Sequence, residues 1–498
     1  MNWFQDFIQR FGGKACCQRL FMSVDGLTMS SAFSGIGAAD VAIHTIQCGL
    51  EHVLGKKPRI RNLFAVEFFA QSQEELLLLP TKPECLFNDM CDIINDNVKP
   101  ALYKNKDRMP FEDIARVAMH INFCKTCIPC KLHGNCETLR ADVHVAGPPC
   151  IHYSPLGLRL GLAGKTNLCF LCWVAQRRRL RERAILHENV PEFKVEILER
   201  FFSDLYIVQT VIFNSAYLGH ACNRTRRLTW MLLKSEVALP IQQPWPETIP
   251  LFFRTLRMSW ESYLIADDEE LNAEIEWSRN RPASAWETAM AQENEFQQLN
   301  DKGLLTDWFK SLTEWEQTNA LAYYAMNING KPLAMLGQNA HKHKMHNNGD
   351  DKLFTIVKNA HIIYALQKGR WMTPKELLLA QAFPVNGFGS HGAACSFSVS
   401  RTGRHRTTVV GQCGNSMNIN AIGAAFMWLF LCASFKFNDD TSLDKSKRLL
   451  ENVECFRRAM QASMEGAGSE KNTSGSGSGN GNGSNDNQTI RSILAPTI

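Results

Sequence analysis

From Thr28 to about Trp230 the chain alternates short apolar, strand-like runs with helical ones, and this restricts the fold more than any other feature of its 498 residues. Such alternation is the pattern of a parallel α/β sheet. Thr28 to Phe33 reads as a strand, followed by the glycine turn Ser34-Gly35-Ile36-Gly37-Ala38 and a helix from Asp40 to Ile46. Leu63 to Val66 is a second strand ending in Glu67, and Asp89 closes a third segment of the same kind. Ala141 to Ala146 is a short buried strand that Gly147, Pro148 and Pro149 stop sharply, presenting Cys150 in a rigid loop. Arg183 to His187 is a further strand, which delivers Glu188 toward the same sheet edge.

The residues at these strand ends carry chemistry. Glycines in the first turn let backbone approach a ligand and let a helix pack on the sheet. An acid at the second strand tip, here Glu67, is the usual way to hold ribose hydroxyls. A thiol on one strand–loop unit and a carboxyl group on the next can attack a ring and hold it at the same time.

The ordered set resembles the cytosine-C5 DNA methyltransferases. Phe33-Ser34-Gly35-Ile36-Gly37 is similar to their first motif, Glu67-Phe68 to the second and Asn88-Asp89-Met90 to the third. Gly147-Pro148-Pro149-Cys150 with Ser154 resembles the nucleophile motif, Glu188-Asn189-Val190 the acid motif and Arg224-Thr225-Arg226 the paired-arginine motif. Arg370 to Pro384 resembles the ninth motif and Gly414-Asn415-Ser416-Met417 the tenth. The resemblance implies a Rossmann-like, S-adenosylmethionine-dependent methyltransferase fold with a smaller inserted target-recognition lobe. It implies that Cys150 attacks carbon 6 of a flipped cytosine, whose carbon 5 then takes the methyl group. Glu188 would hydrogen-bond ring nitrogen 3, while Arg224 and Arg226 would favour the thiolate and steady the ring oxygen. Ser154 and Asn189 complete the catalytic set. For the cofactor, Phe33 would lie against the adenine, Glu67 would bind the ribose, Asp89 the adenine amino group, and Asn415 would close the methionine end. Ser34, Gly35, Gly37, Phe68, Met90, Pro148 and Ser416 complete that set. Ile151, Cys222 and Ser31 depart from the residues usual at their motif positions.

The implied partner is double-stranded DNA, with targeting proteins as further partners and the nucleus as the location. A transfer-RNA enzyme of the same family is the first alternative, but its members carry Cys-Phe-Thr in the target region and residues 231–369 here contain no cysteine. A non-catalytic DNA-binding scaffold is the second, and such relatives usually lose the nucleophile or the acid.

Six segments are expected. Residues 1–27 are an N-terminal extension and 28–230 the first part of the catalytic domain. Residues 231–369, with six of the eleven tryptophans, are the target-recognition lobe. Residues 370–435 are the C-terminal part of the catalytic domain, 436–464 a charged helix, and 465–498 a Gly/Ser/Asn-rich tail that cannot bury a core. A net charge of +5 permits nucleic-acid binding without demanding it. Seventeen cysteines without a secretory leader suggest a reducing compartment. The apolar stretch Ala421 to Phe435 is too short to span a bilayer comfortably and reads as a buried helix, so no membrane is expected.

Four clusters stand outside the motifs. The run Arg177 to Arg183 reads as a solvated or partner-facing surface. The run His341 to His346 reads as a phosphate contact or a surface loop, and the acidic run Asp267 to Glu276 as pointing away from DNA. Cys124, Cys127, Cys130 and Cys136, with His133 among them, have a spacing that suits a small structural zinc site; free thiols are the competing reading, and an iron–sulfur cluster fits less well.

Overall fold

The computed structural model describes residues 13–435, apart from 101–123 (of which 102, 112, 115, 116 and 119 are described), 156, 165, 239–243, 256–257, 282–302, 304, 327–332, 342–350, 359–361 and 386–405. Most of the run 341–346, the charged helix of 436–464, the tail and residues 1–12 lie outside the described residues.

Nine strands form one sheet: β1 (Leu27–Ala32), β2 (Ile60–Val66), β3 (Cys85–Phe87), β4 (Cys127–Cys130), β5 (Gly134–Glu137), β6 (Val143–Ala146), β7 (Ala184–Asn189), β8 (Tyr206–Asn214) and β9 (Thr225–Leu233). Their order is β5-β4-β3-β2-β1-β6-β7-β9-β8. The five central strands, β3-β2-β1-β6-β7, are parallel, and an antiparallel pair extends each edge. The sheet is therefore the Rossmann-like arrangement that the alternating pattern implied. The strand order reverses between β1 and β6, where Ala32 pairs with Ala146. Loops leaving the carboxyl ends of two strands diverge at such a switch point and open a crevice there.

Buried side chains alternate between the two faces of the sheet. Met29, Ala65, Val143, Leu186 and Trp230 join the larger core, with the helices Gly13–Val24, Ala38–Leu54 and Ile419–Cys432. Ala32, Val66, Ala146, Ile185 and Met231 join the smaller one, with Asn167–Leu180 and Glu196–Phe202. All fourteen residues of Ile419–Cys432 are buried, which explains a sequence that is free of polar side chains apart from Asn420. Among the described residues no helix is long and apolar enough to cross a membrane.

A polar chain crosses the sheet at its centre. Trp173 Nε1 donates to His144 Nε2 at 3.0 Å, so His144 Nδ1 carries the proton and donates to Ser30 Oγ at 2.8 Å. Burial holds this histidine well below its ordinary pKa, and therefore neutral.

Within 231–369, Trp245, Phe252, Trp260 and Tyr263 join the larger core. A separate small core around Phe309, Tyr323, Tyr364 and Trp371 packs under the three-stranded antiparallel sheet of Leu333–Met335, Ile363–Ala365 and Arg370–Trp371.

The run Arg177 to Arg183 is not a solvated face. Arg177 is wholly buried against Glu182, Arg178 grips Asp204 through two 2.7 Å bonds, Arg179 Nη2 donates to Thr138 Oγ1, and Arg183 pairs with Asp142 and Glu236. Asp204, Thr138, Asp142 and Glu236 are brought from elsewhere in the chain, which charge density in sequence cannot reveal, whereas Glu182 lies within the run and Arg181 is exposed. In the acidic run, Asp267 and Glu270 form a capping box for the helix Asp268–Arg279. Glu270 pairs with Lys375, and Glu274 with Arg406 and Trp371 Nε1.

Candidate active site at the switch point of the sheet

The turn after β1 is shaped by left-handed backbone. Phe33 has φ +53°, Gly35 +55° and Gly37 +78°. At Gly37 the requirement is also one of space, since a Cβ there would lie 2.4 Å from Leu79 Cδ1. At Gly35 a Cβ would meet nothing within 4 Å, so the backbone on that side faces open space. Ser34 turns inward, its Oγ donating to Val66 O at 3.2 Å and lying 2.8 Å from Ser31 Oγ.

Glu67, at the end of β2, is buried and reaches across to this turn. Gly35 N donates to its Oε2 at 2.7 Å, and Phe69 N to its Oε1 at 2.9 Å. Burial raises the pKa of the carboxyl group, and the backbone donors act against the rise. The next two side chains, Phe68 and Phe69, are 62% and 50% exposed although they are large and apolar. Asp89, two residues past β3, accepts a bond from Cys91 N at 2.9 Å, while Met90 is buried in the smaller core.

These groups fit S-adenosylmethionine on their own chemistry. Open backbone at a glycine turn, a fixed carboxylate at the neighbouring strand tip and exposed aromatic faces beside it form a donor set for an adenosine.

Across the switch point, Cys150 sits in the loop after β6, half-buried. Its carbonyl accepts from Tyr153 N at 2.9 Å and Ser154 N at 2.8 Å, which curls the loop into a turn. Glu188 is near the end of the adjacent parallel strand β7. Asn189 Nδ2 reaches Pro148 O at 3.4 Å and ties the two loops together. A Cβ on Gly147 would be 3.5 Å from Glu188 Oε2 and 2.6 Å from Met417 Cε. The loop after β6, the acid and the C-terminal segment thus converge. Burial and then the negative charge of Glu188 push the Cys150 thiol up, against the pull of Arg226 and Arg224.

The two arginines separate. Arg226 Nε is 2.9 Å from Glu188 Oε1, an ion pair whose N–H is not aligned for a hydrogen bond, so that buried oxygen has no hydrogen-bond partner. Arg224, fully buried, donates instead to the carbonyls of Ile356 (3.1 Å), Gly414 (3.2 Å) and Ser416. It clasps the C-terminal segment onto β9. Asn415 is exposed, whereas Ser416 is buried with its Oγ donating to Met417 O at 3.0 Å. Further contacts absent from the sequence expectations close this end. Gln412 Nε2 donates to Ser72 Oγ at 3.3 Å, and Lys358 Nζ lies 5.3 Å from the centre of the Phe69 ring.

The metal-ligand expectation needs correction. Cys124 and Cys127 do not join the cluster, and Cys85, from β3, does. Cys127 and Cys130 are an odd number of residues apart on β4, so they point to opposite faces, Cys127 exposed and Cys130 buried. Cys124 is buried beyond the strand, in a bridge with Ile94.

None of the curated proteins matches the chain. Among solved structures it is similar to the S. pombe Dnmt2 methyltransferase, at 12% identity and a TM-score of 0.43 over 81% of this chain and 98% of that one. It is also similar to a putative DNA modification methyltransferase encoded within an E. coli prophage, at 13% identity and 0.43 over 82% and 99%, and to the Entamoeba histolytica methyltransferase EhMeth, at 13% and 0.39 over 81% and 98%. The model of the C-5 cytosine-specific DNA methylase family matches residues 89–427, taking in both Cys150 and Glu188. With more than half of its length so matched, the chain belongs to the C-5 cytosine-specific DNA methylase family.

Proposed function

We propose that this chain methylates carbon 5 of cytosine in double-stranded DNA with S-adenosylmethionine as the donor. The reading rests on one arrangement: a half-buried thiol in the loop after β6 and a carboxyl group near the end of the adjacent parallel strand β7, the two tied together by the bond from Asn189 Nδ2 to Pro148 O. Glu188 Oε1 has no hydrogen-bond partner. It is instead paired by charge with Arg226 Nε at 2.9 Å, which holds the carboxyl group beside the Cys150 loop.

Cys150 Sγ adds to carbon 6 of the ring and makes carbon 5 electron-rich. Glu188 holds the ring at nitrogen 3, where the developing charge is greatest, and Arg226 keeps that carboxyl group in place. When bound, S-adenosylmethionine supplies an electrophilic methyl group. Phe33, Gly35, Glu67, Phe68 and Asp89 would hold its adenosine end, and Asn415 and Ser416 would close over the other. Loss of the carbon-5 proton then releases Cys150. Both faces of the ring are needed, so the base must leave the helix first.

The test is to incubate the native chain and Cys150→Ser with methyl-labelled cofactor and either duplex DNA or transfer RNA. Labelled cytosine in DNA from the native chain only is the expected result. Equal labelling by both proteins would remove Cys150 from its role, and label confined to transfer RNA would overturn the DNA substrate.

A further inference from the structure

The hairpin of β4 and β5 is an addition to the outer edge of the sheet, beyond β3. Apolar burial contributes little to holding it there. Of its eight strand residues only Ile128 and Cys130 are buried, and a single register pair, Phe87 with Cys130, joins it to β3. An isolated two-stranded hairpin is marginal in water, so something besides apolar burial must fix this one.

We propose that Cys85, Cys130, His133 and Cys136 bind one zinc ion that staples this hairpin to the sheet. Their donor atoms all lie within 4.8 Å of one another. From His133 Nδ1 the three sulfurs are 3.8, 3.8 and 3.6 Å away, for Cys85, Cys130 and Cys136 respectively. A tetrahedron with zinc–sulfur bonds of about 2.3 Å and a zinc–nitrogen bond of about 2.0 Å has S···N edges of about 3.5 Å. Hydrogen bonding does not account for the arrangement, because Nδ1 of a neutral imidazole has one in-plane lone pair and three sulfurs surround it.

The turn supports the same conclusion. Leu132 N points at Cys130 Sγ from 3.5 Å, and Gly134, directly after His133, has φ +80°. A glycine there lets the chain bend back sharply, so His133 and Cys136 both return to the Cys130 side. An N–H aimed at sulfur stabilises a thiolate, the form that binds metal. Three thiolates and one imidazole in a tetrahedron select zinc over the oxygen-seeking cations. Four protein ligands leave no position open for substrate, so the ion is structural. It ties together β3, the end of β4, the turn and β5.

The experiment is elemental analysis of the full chain, purified without chelator, beside Cys85→Ser, Cys136→Ser, His133→Ala and Cys127→Ser. The native chain and Cys127→Ser should each carry about one zinc ion, and the other three should lose it. Hydrogen exchange before and after chelation provides a readout that does not depend on any variant folding. Protection of residues 127–137 should be lost on chelation while that of Ile419–Cys432 is kept. A native chain without zinc, a Cys85→Ser variant that retains it, or a hairpin whose protection is unmoved by chelator would each overturn the proposal. Neither readout involves methyl transfer, so the metal assignment and the enzymatic one can fail separately.

Discussion

Arg226 and Glu188 face each other across neighbouring antiparallel strands, Nε to Oε1 at 2.9 Å, while Arg224 turns the opposite way into a nest of three carbonyls. Two residues along a strand share a face, yet these guanidinium groups part because the second half of the site is built from a segment nearly two hundred residues further along the chain. A pair of arginines that reads as one unit in the sequence is therefore two devices, one paired with Glu188 and one clasping the fold.

The two should be separable by mutation. Arg226→Ala should lower kcat by about 10²- to 10³-fold, the range seen when a single charge-stabilising group is removed, with little change in melting temperature. Arg224→Ala leaves the carbonyls of Ile356, Gly414 and Ser416 without their buried donor and should cost roughly 3 kcal/mol of stability. Denaturant unfolding and steady-state kinetics on the same preparations check this. A thermally normal Arg224→Ala would show that the clasp is not structural.

A second expectation concerns the charge on Cys150. Its thiol is raised by burial first and by Glu188 next, and lowered by Arg226 and Arg224. The thiolate is the reactive form, so alkylation of Cys150 should increase with pH into the range above an ordinary thiol. Glu188→Gln removes a raising charge and should move that profile to lower pH, whereas Arg226→Gln removes a lowering charge and should move it higher. Iodoacetamide labelling followed by peptide mass spectrometry measures the profile at this one cysteine. Identical profiles in all three proteins would mean that the charges do not reach the sulfur.

Much of the frame was legible because its signals are local. The glycine turn before Ala38–Leu54, the prolines that end β6 and the largely apolar helix Ile419–Cys432 are each set by residues within a few positions. What lay hidden depended on strand order. Cys85 is forty-five residues from Cys130, and only the β3–β4 pairing brings it to His133, so spacing alone selected Cys124 and Cys127 instead. The arginine run was misread for the same reason, since Asp204, Thr138, Asp142 and Glu236 arrive from several elements. Sequence periodicity reports which face of an element is buried but not what is buried against it.

Asp40 offers a test of the cofactor turn's support. It is fully buried in the first turn of the helix Ala38–Leu54, Asn62 Nδ2 donates to its Oδ1, and its Oδ2 has no partner. Burial raises its pKa from 3.8 to about 7. The folded state therefore holds a proton that the unfolded chain has already lost, so stability falls as pH rises from about 4 to about 7 and stays lower above that. Asp40→Asn removes this penalty. Its melting temperature should exceed that of the native chain at pH 8, by an amount corresponding to a few kcal/mol at most, and the difference should vanish near pH 4. A gap independent of pH would mean that Asp40 does not titrate as its burial implies.

The glycines on either side of the crevice should fail for different reasons. Gly37→Ala must hold a left-handed conformation at φ +78° and displace the end of the Leu79 side chain, which should cost about 1–2 kcal/mol. Leucine can swing aside, so the fold should survive with the helix Ala38–Leu54 slightly displaced. At Gly414 the obstacle is backbone, because an added Cβ would lie 2.3 Å from Val357 C and 2.4 Å from Lys358 N. The segment that carries Asn415 and Ser416 would then have to lift away from 353–358 and from Arg224. Overpacking of this kind costs about 1–3 kcal/mol, and more where no side chain can yield. Gly414→Ala should accordingly weaken S-adenosylmethionine binding more than Gly37→Ala does at equal loss of stability. Isothermal titration of the two variants, with unfolding curves measured alongside, sets one against the other. Equal cofactor affinity in both would place the tenth motif outside the cofactor site.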